Sequence, residues 1–262
     1  MIGYSVLASG SKGNSTYVKI GEHGFLIDCG LSCKAVEARL ISIGVDPQSI
    51  EGIFVTHEHD DHIRSAHTFS YRFGVPIFTS EKTFLASGFK DKRSGEFVPV
   101  KPGKVFSPCA GIDIFPCPIP HDAVDPVGYV VMHENIKFSQ MTDLGYPTEL
   151  VVEEIRGSHI LVVEANHDPS MLKMSHYPWE LKQRIMSRRG HLSNLNAAEL
   201  LKRTITGDTV HVTLAHLSEE NNHPDIALMT TLQKLNGETP RVTVASQGVP
   251  TPLLLCEVPV VR

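Results

Sequence analysis

The chain has 262 residues, with 24 Lys and Arg against 29 Asp and Glu, so its formal charge is −5 at neutral pH. No apolar run approaches a membrane span, no basic segment followed by an apolar one opens the chain, and five scattered cysteines are an odd number for a disulfide framework. A membrane partner is thereby excluded, a reducing cytoplasm is expected, and contact with nucleic acid requires a local basic patch rather than overall charge.

Nothing marks a linker, so residues 1–262 read as a single domain. Residues 3–8 and 15–20 read as strands flanking Ser9-Gly10-Ser11-Lys12-Gly13-Asn14-Ser15. That loop is either a cleft lining that exposes backbone N–H groups, with Ser11 and Asn14 toward substrate, or a plain hairpin turn. Phe25-Leu26-Ile27 is a third strand, and Ser32 caps a helix that buries Val36 and Leu40 and ends at Gly44. A short apolar strand, Ile50 to Val55, then leads into Thr56-His57-Glu58-His59-Asp60-Asp61-His62.

Three imidazoles and three carboxylates within seven residues exceed what helix capping explains. In an extended segment alternate side chains share a face, so His57, His59 and Asp61 can converge on one ion. His62, past the turn, can serve a second. Mixed imidazole and carboxylate ligands suit zinc, manganese or iron. A helix from Ile63 to Phe73 follows, ending at Gly74.

Further on, Val75 to Phe78 is a strand, 81–89 a weak helix, and 90–110 a charged and then Pro-rich loop with a strand fragment. Ile112 to Phe115 leads to His121-Asp122, and Val127 to Met132 with Ile136 to Met141 forms a hairpin that ends at Asp143. A helix near 148–155 precedes the apolar strand Ile160 to Val163, which ends at Glu164. Helices at 178–188 and 194–203 flank Gly190-His191-Leu192-Ser193. The strand Val210 to Leu214 ends at His216, a helix spans 224–235, and Val242 to Ala245 is the final strand. Strands thus end repeatedly at a possible ligand, where sheet enzymes place their chemistry. His167-Asp168-Pro169 reads as a helix start and Trp179 as core or groove lining. The basic stretch Lys173, Lys182, Arg184, Arg188 and Arg189 is either a solvated face or a grip on phosphate.

The order His57-x-His59-x-Asp61-His62, then His121, Asp143 and His216, resembles the metallo-β-lactamase superfamily of dinuclear metallohydrolases, and Leu26-Ile27-Asp28-Cys29-Gly30 looks like its buried aspartate motif. The resemblance implies an α/β fold, a four-layer αββα sandwich. It also implies two divalent ions, Zn2+ or Mn2+, one on His57, His59 and His121 and the other on Asp61, His62 and His216, with Asp143 bridging. Residues 8–15, Glu164-Ala165-Asn166-His167-Asp168, Tyr177-Pro178-Trp179, Gly190-His191-Leu192-Ser193-Asn194 and 215–222 resemble the WalJ/YycJ-type bacterial branch, which is associated with exonuclease activity on DNA. Glu164 and His191 also stand where ribonuclease Z has an acid after a strand and a histidine before a helix. The short interval from His121 to Asp143 leaves no room for a tRNA-gripping arm, and that from Asp143 to His216 none for a β-CASP insertion.

The expectation is therefore a metal-dependent phosphodiesterase, a 5′→3′ exonuclease with DNA favoured over RNA, that attacks through a metal-bridging hydroxide. Asp61 handles the proton of the attacking water, and His191, oriented by Glu164, protonates the leaving oxygen. Arg188 and Arg189 are expected on the substrate backbone. The alternative is a metallohydrolase of a thioester, lactam, lactone or cyclic phosphodiester.

Overall fold

The computed structural model describes residues 1–237 and 240–256; residues 238–239 and 257–262 of the single-domain expectation lie outside the described residues. The first half of the chain runs β1 (Ile2–Ala8), β2 (Ser15–Ile20), β3 (His23–Ile27), α1 (Cys33–Ser42), β4 (Ile50–Phe54), α2 (Asp60–Ile63), α3 (Ala66–Phe73), β5 (Ile77–Thr79), α4 (Glu81–Ala86) and β6 (Phe97–Pro99). The second runs β7 (Ile112–Pro118), β8 (Val127–His133), β9 (Ile136–Met141), α5 (Glu149–Ile155), β10 (Ile160–Glu164), α6 (Pro169–Met174), α7 (Trp179–Ile185), α8 (Asn194–Thr204), β11 (His211–Ala215), α9 (Pro224–Leu235), β12 (Arg241–Val244) and β13 (Leu254–Cys256). Among the described residues no helix is long and apolar enough to cross a membrane.

Two mixed sheets form, ordered β13-β1-β2-β3-β4-β5-β6 and β12-β11-β10-β9-β8-β7. Each half repeats one plan. β1, β2 and β3 pair antiparallel and β3 to β6 parallel, while β7, β8 and β9 pair antiparallel and β9 to β12 parallel. No sequence repeat announces this duplication.

Strand residues of both parities are apolar, so both faces of each sheet are covered. Ile2, Tyr4, Phe25, Phe54, Tyr129, Phe138 and Ile160 meet between the sheets. The opposite parity packs outward: Leu26 and Ile53 against Val36, Leu40 and Phe69 of α1 and α3, and Leu161 and Val163 against Val151, Leu200 and Ala227 of α5, α8 and α9. Helix, sheet, sheet, helix is the expected αββα sandwich. Each fully buried large apolar side chain contributes roughly 1.5–3 kcal/mol. Two tyrosines pin the sheets together through polar contacts, Tyr4 Oη to Thr213 Oγ1 at 2.8 Å and Tyr129 Oη donating to the Val55 carbonyl at 2.8 Å.

Two local expectations need correction. The helix read from Ile63 to Phe73 is two helices, because its carbonyl ladder is diverted. The Asp61 carbonyl accepts Asn14 N–H at 2.7 Å, and Ser65 N–H turns to the Cys29 carbonyl at 3.0 Å. The strand at Val242 is not the last, since β13, beyond Pro250 and Pro252, pairs antiparallel with β1. Its prolines and three-residue length hid it. Ser32, Thr148, Asp168 and Ser193 cap their helices through side-chain oxygens.

Candidate metal centre

Parallel pairing brings the C-terminal ends of β3, β4, β9, β10 and β11 to one edge, and each delivers a polar side chain there. His57, His59 and His121 offer ring nitrogens lying within 4.8 Å of one another, and the Asp61 carboxylate with the His62 and His216 imidazoles forms a second group within the same limit. Asp143 stands between the groups, with Oδ2 3.1 Å from His62 Nε2 and Oδ1 3.7 Å from His121 Nε2 and 3.4 Å from His216 Nδ1. The expectation that His57, His59 and Asp61 share a face is not met. Asp61 already lies in α2, whose turn swings it to His62 and His216.

Four of the imidazoles, those of His57, His62, His121 and His216, are oriented by their other nitrogen, which fixes the tautomer. His62 Nδ1 donates to Asp28 Oδ2 at 2.7 Å, His57 Nδ1 to Thr56 Oγ1 at 2.9 Å and His216 Nδ1 to Glu164 Oε1 at 2.7 Å. His121 Nδ1 donates to the Gly190 carbonyl at 3.3 Å. That leaves His121 Nε2, His216 Nε2 and Asp143 Oδ2 buried with no hydrogen-bond partner among the described residues. A buried unpaired polar atom costs about 1–3 kcal/mol, so three facing one cleft need a shared partner, and a cation accepts their lone pairs. His57 Nε2 and His59 Nδ1 lie 3.1 Å apart. Two nitrogens on one tetrahedral zinc would be about 3.3 Å apart. The residues present therefore fit divalent cations.

The electrostatics divide the groups. Burial, reinforced by His62, pushes His57 well below its ordinary value, and burial lowers His121, so both are neutral ligands. Burial would also lower His62 and His216. Asp143 and Asp28 nevertheless raise His62 well above its usual value, and Asp143, with Asp61 and Glu164, raises His216 to about 10. Asp28, Asp61, Asp143 and Glu164 thus create a field that favours positive charge at this group. Burial would raise Glu164, but His191 and His216 hold it at about 2. Burial raises Asp28, while the His62 imidazole and the Thr56 donors beside it favour its charged form. We take Asp28 as ionised, because Thr56 N, Thr56 Oγ1 and His62 Nδ1 all donate to it.

Asp28, Asp143 and His216 all have left-handed backbone, at φ 62°, 57° and 55°. Such strain costs on the order of 1–3 kcal/mol per residue and is held by the packing around it. Asp28 follows β3 and Asp143 follows β9, equivalent strands of the two halves.

Glu164 is fully buried. Oε1 accepts His191 Nδ1 at 2.9 Å as well as His216 Nδ1, and Oε2 accepts the N–H groups of Leu144 at 3.0 Å and Leu192 at 2.8 Å. His191 faces the cleft, 23% exposed, and is raised: burial opposes the charge, while Glu164 and then Asp143 favour it. Residues 9–14 form a loop, as read from the sequence, with Asn14 buried beneath the cleft rather than lining it. The segment joins β1 to β2 as a hairpin connection, yet Asn14 Nδ2 donates to Asp61 Oδ2 at 3.2 Å and sits 3.1 Å from His62 Nε2. Ser11 lines the cleft beside it. His167 and Asp168 behave as a helix start, whereas Trp179 is 60% exposed rather than core.

Arg188 and Arg189 do not line the cleft among the described residues. Arg188 lies over the Tyr146 ring, 4.0 Å from its centre, and Arg189 Nε donates to the His121 carbonyl at 3.1 Å. The cleft, about 250 Å³, is instead walled by Tyr177, Leu181, Arg184 and Ile185, with Asp122 and Asn166. The basic run had flagged Arg184 without separating it from its neighbours. Asp122 was marked only by adjacency to His121.

This metal-ready edge between two mixed sheets is that of a metallohydrolase, and the chain belongs to the metallo-beta-lactamase superfamily, whose family model matches residues 8–153. It is a hydrolase of that superfamily. Among its relatives, exodeoxyribonuclease YycJ of Bacillus anthracis is 38% identical over 88% of each chain. Exodeoxyribonuclease WalJ of Streptococcus pneumoniae serotype 2 is 37% identical over 88% of this chain and 87% of that one. The metallo-beta-lactamase fold protein YhfI from Bacillus subtilis superposes with a TM-score of 0.75 at 17% identity, covering 95% of this chain and 98% of that one, a likeness of fold alone.

Proposed function

We propose that the protein is a dinuclear metal-dependent phosphodiesterase that degrades DNA from the 5′ end. The observation that carries this reading is the pair of ligand groups meeting at Asp143, with buried, unpartnered donor atoms aimed at one cleft. The names of the two relatives support a DNA substrate over RNA. The same reading takes 1–262 as one catalytic domain, supported by ligands drawn from both sheets, and assigns it to the cytoplasm.

His57, His59 and His121 would hold one ion, Asp61, His62 and His216 the other, with Asp143 shared. When bound, Zn2+ or Mn2+ supplies a nucleophile from water near neutral pH and neutralises the non-bridging phosphate oxygens. Asp61, held by Asn14 and kept ionised by His216 and His62 against its burial, accepts the proton of the attacking water. The water oxygen bonds to phosphorus as the bond to the 3′ oxygen breaks. His191, charged and oriented by Glu164, delivers a proton to that departing oxygen.

The test is digestion of 5′- and 3′-labelled DNA and RNA by protein loaded with Zn2+ or Mn2+, together with elemental analysis. Two ions per chain and stepwise shortening of DNA from its 5′ end are expected. One ion at saturation would refute the dinuclear centre. Hydrolysis of a lactone or thioester without any cleavage of nucleic acid would favour the small-molecule alternative.

A further inference from the structure

Arg184 is the only lysine or arginine among the described residues that line the cleft. Its Nε donates to Asp122 Oδ2 at 2.6 Å, and its two Nη groups have no hydrogen-bond partner among the described residues. The other oxygen of Asp122 lies 3.5 Å from His121 Nε2. The Asp122 carboxylate therefore links the guanidinium to the edge of the ligand group. Beside it, Leu181 and Ile185 lie one helical turn apart on α7, and Tyr177 lies one turn earlier in the chain. The cleft thus has a cationic corner, an apolar wall and a metal-ready floor. Its volume, about 250 Å³, falls below the roughly 300–1,000 Å³ of ordinary ligand pockets, which suits one terminal unit of a polymer rather than a run of it.

We propose that Arg184 receives the 5′-terminal phosphate of the strand through its two Nη groups, that Asp122 positions it, and that the terminal base lies along Tyr177, Leu181 and Ile185. The assignment rests on the exonuclease reading above and names how the end is recognised. A terminal phosphate carries nearly two charges against one for an internal diester, and a guanidinium fork holds it with two charge-assisted hydrogen bonds. Asp122 occupies Nε and leaves both Nη groups without a hydrogen-bond partner among the described residues. Recognition of this kind favours a chain end over an interior site and leaves the scissile phosphate one nucleotide away, at the ligand groups.

Two measurements test it. The first compares kcat/KM for single-stranded DNA bearing a 5′-phosphate or a 5′-hydroxyl. The second compares calorimetric binding of deoxyadenosine 3′,5′-bisphosphate and deoxyadenosine 3′-monophosphate to zinc-loaded protein, and does not depend on cleavage. The wild type should favour the 5′-phosphate roughly ten-fold or more in both, the worth of a hydrogen bond to a charged group. Arg184→Ala should bring both ratios near one, through KM in the kinetic arm. Arg184→Lys should restore part of each, and Asp122→Asn should give intermediate ratios with metal content unchanged. An Arg184→Ala ratio equal to the wild-type ratio, or a loss confined to kcat, would overturn the proposal. A wild type that binds the bisphosphate better yet cleaves no DNA supports Arg184 and refutes the exonuclease reading.

Discussion

Replacing Glu164 by glutamine tests the centre where its geometry is most constrained. The carboxylate accepts four hydrogen bonds, two from imidazole Nδ1 atoms and two from backbone N–H groups. A glutamine has one accepting oxygen and one donating nitrogen. If nothing else changed, its NH2 would face two buried donors whichever way it turned, at roughly 2–6 kcal/mol. The backbone N–H groups of Leu144 and Leu192 cannot adapt, but His191 and His216 can change tautomer. The amide oxygen should therefore face the backbone, and its NH2 should donate to both Nδ1 atoms. That network is satisfied, so the fold survives, but His216 now carries its proton on Nε2. A protonated Nε2 cannot bind a cation, and His191 loses the carboxylate that supports its charge. Affinity for the second ion should fall by roughly 10–100-fold, the usual worth of a ligand-orienting partner, and kcat should fall with it. Competition with a chelator measures the affinity, and long-range nitrogen–proton NMR reads the tautomers. A variant that keeps wild-type affinity with His216 protonated on Nδ1 would refute the reasoning.

Three further outcomes are expected. His191→Ala should keep both ions and lose roughly 10²–10⁴ in kcat; a substrate whose leaving 3′ oxygen is replaced by sulfur should recover much of the loss, and an absence of recovery would remove His191 as the acid. Gly30→Ala should destabilise by more than about 3 kcal/mol in urea unfolding, since its Cβ would stand 1.6 Å from the Asp61 carbonyl oxygen and must displace the backbone carrying that ligand. A near-neutral Gly30→Ala would mean that the approach is softer than drawn. Burial raises Tyr4 from 10 to about 12, so its contribution is full below pH 10 and is lost as pH climbs through 12, up to roughly 2.7 kcal/mol. Tyr4→Phe, about 1 kcal/mol less stable at neutral pH, should show a flatter urea midpoint across that window, and equal alkaline slopes would contradict it.

What the sequence determined by itself was whatever depends on near neighbours and on order along the chain. The dense run from His57 to His62, the ends of strands at Asp143, Glu164 and His216, and the caps at Ser32 and Ser193 follow from local spacing and local hydrogen bonding. Order along the chain, compared with a known superfamily, sufficed to expect the αββα architecture. Tertiary structure alone decided which groups share a partner. The break at Ser65 arises because Asn14 and Cys29, distant in sequence, take part in the helix's hydrogen bonding. β13 exists because β1 has an open edge. One carboxylate of Glu164 serves two histidines, and Arg184 rather than Arg188 or Arg189 faces the cleft. Periodicity tells a residue which face of its own element it occupies, but a hydrogen bond across two sheets depends on how those elements are stacked.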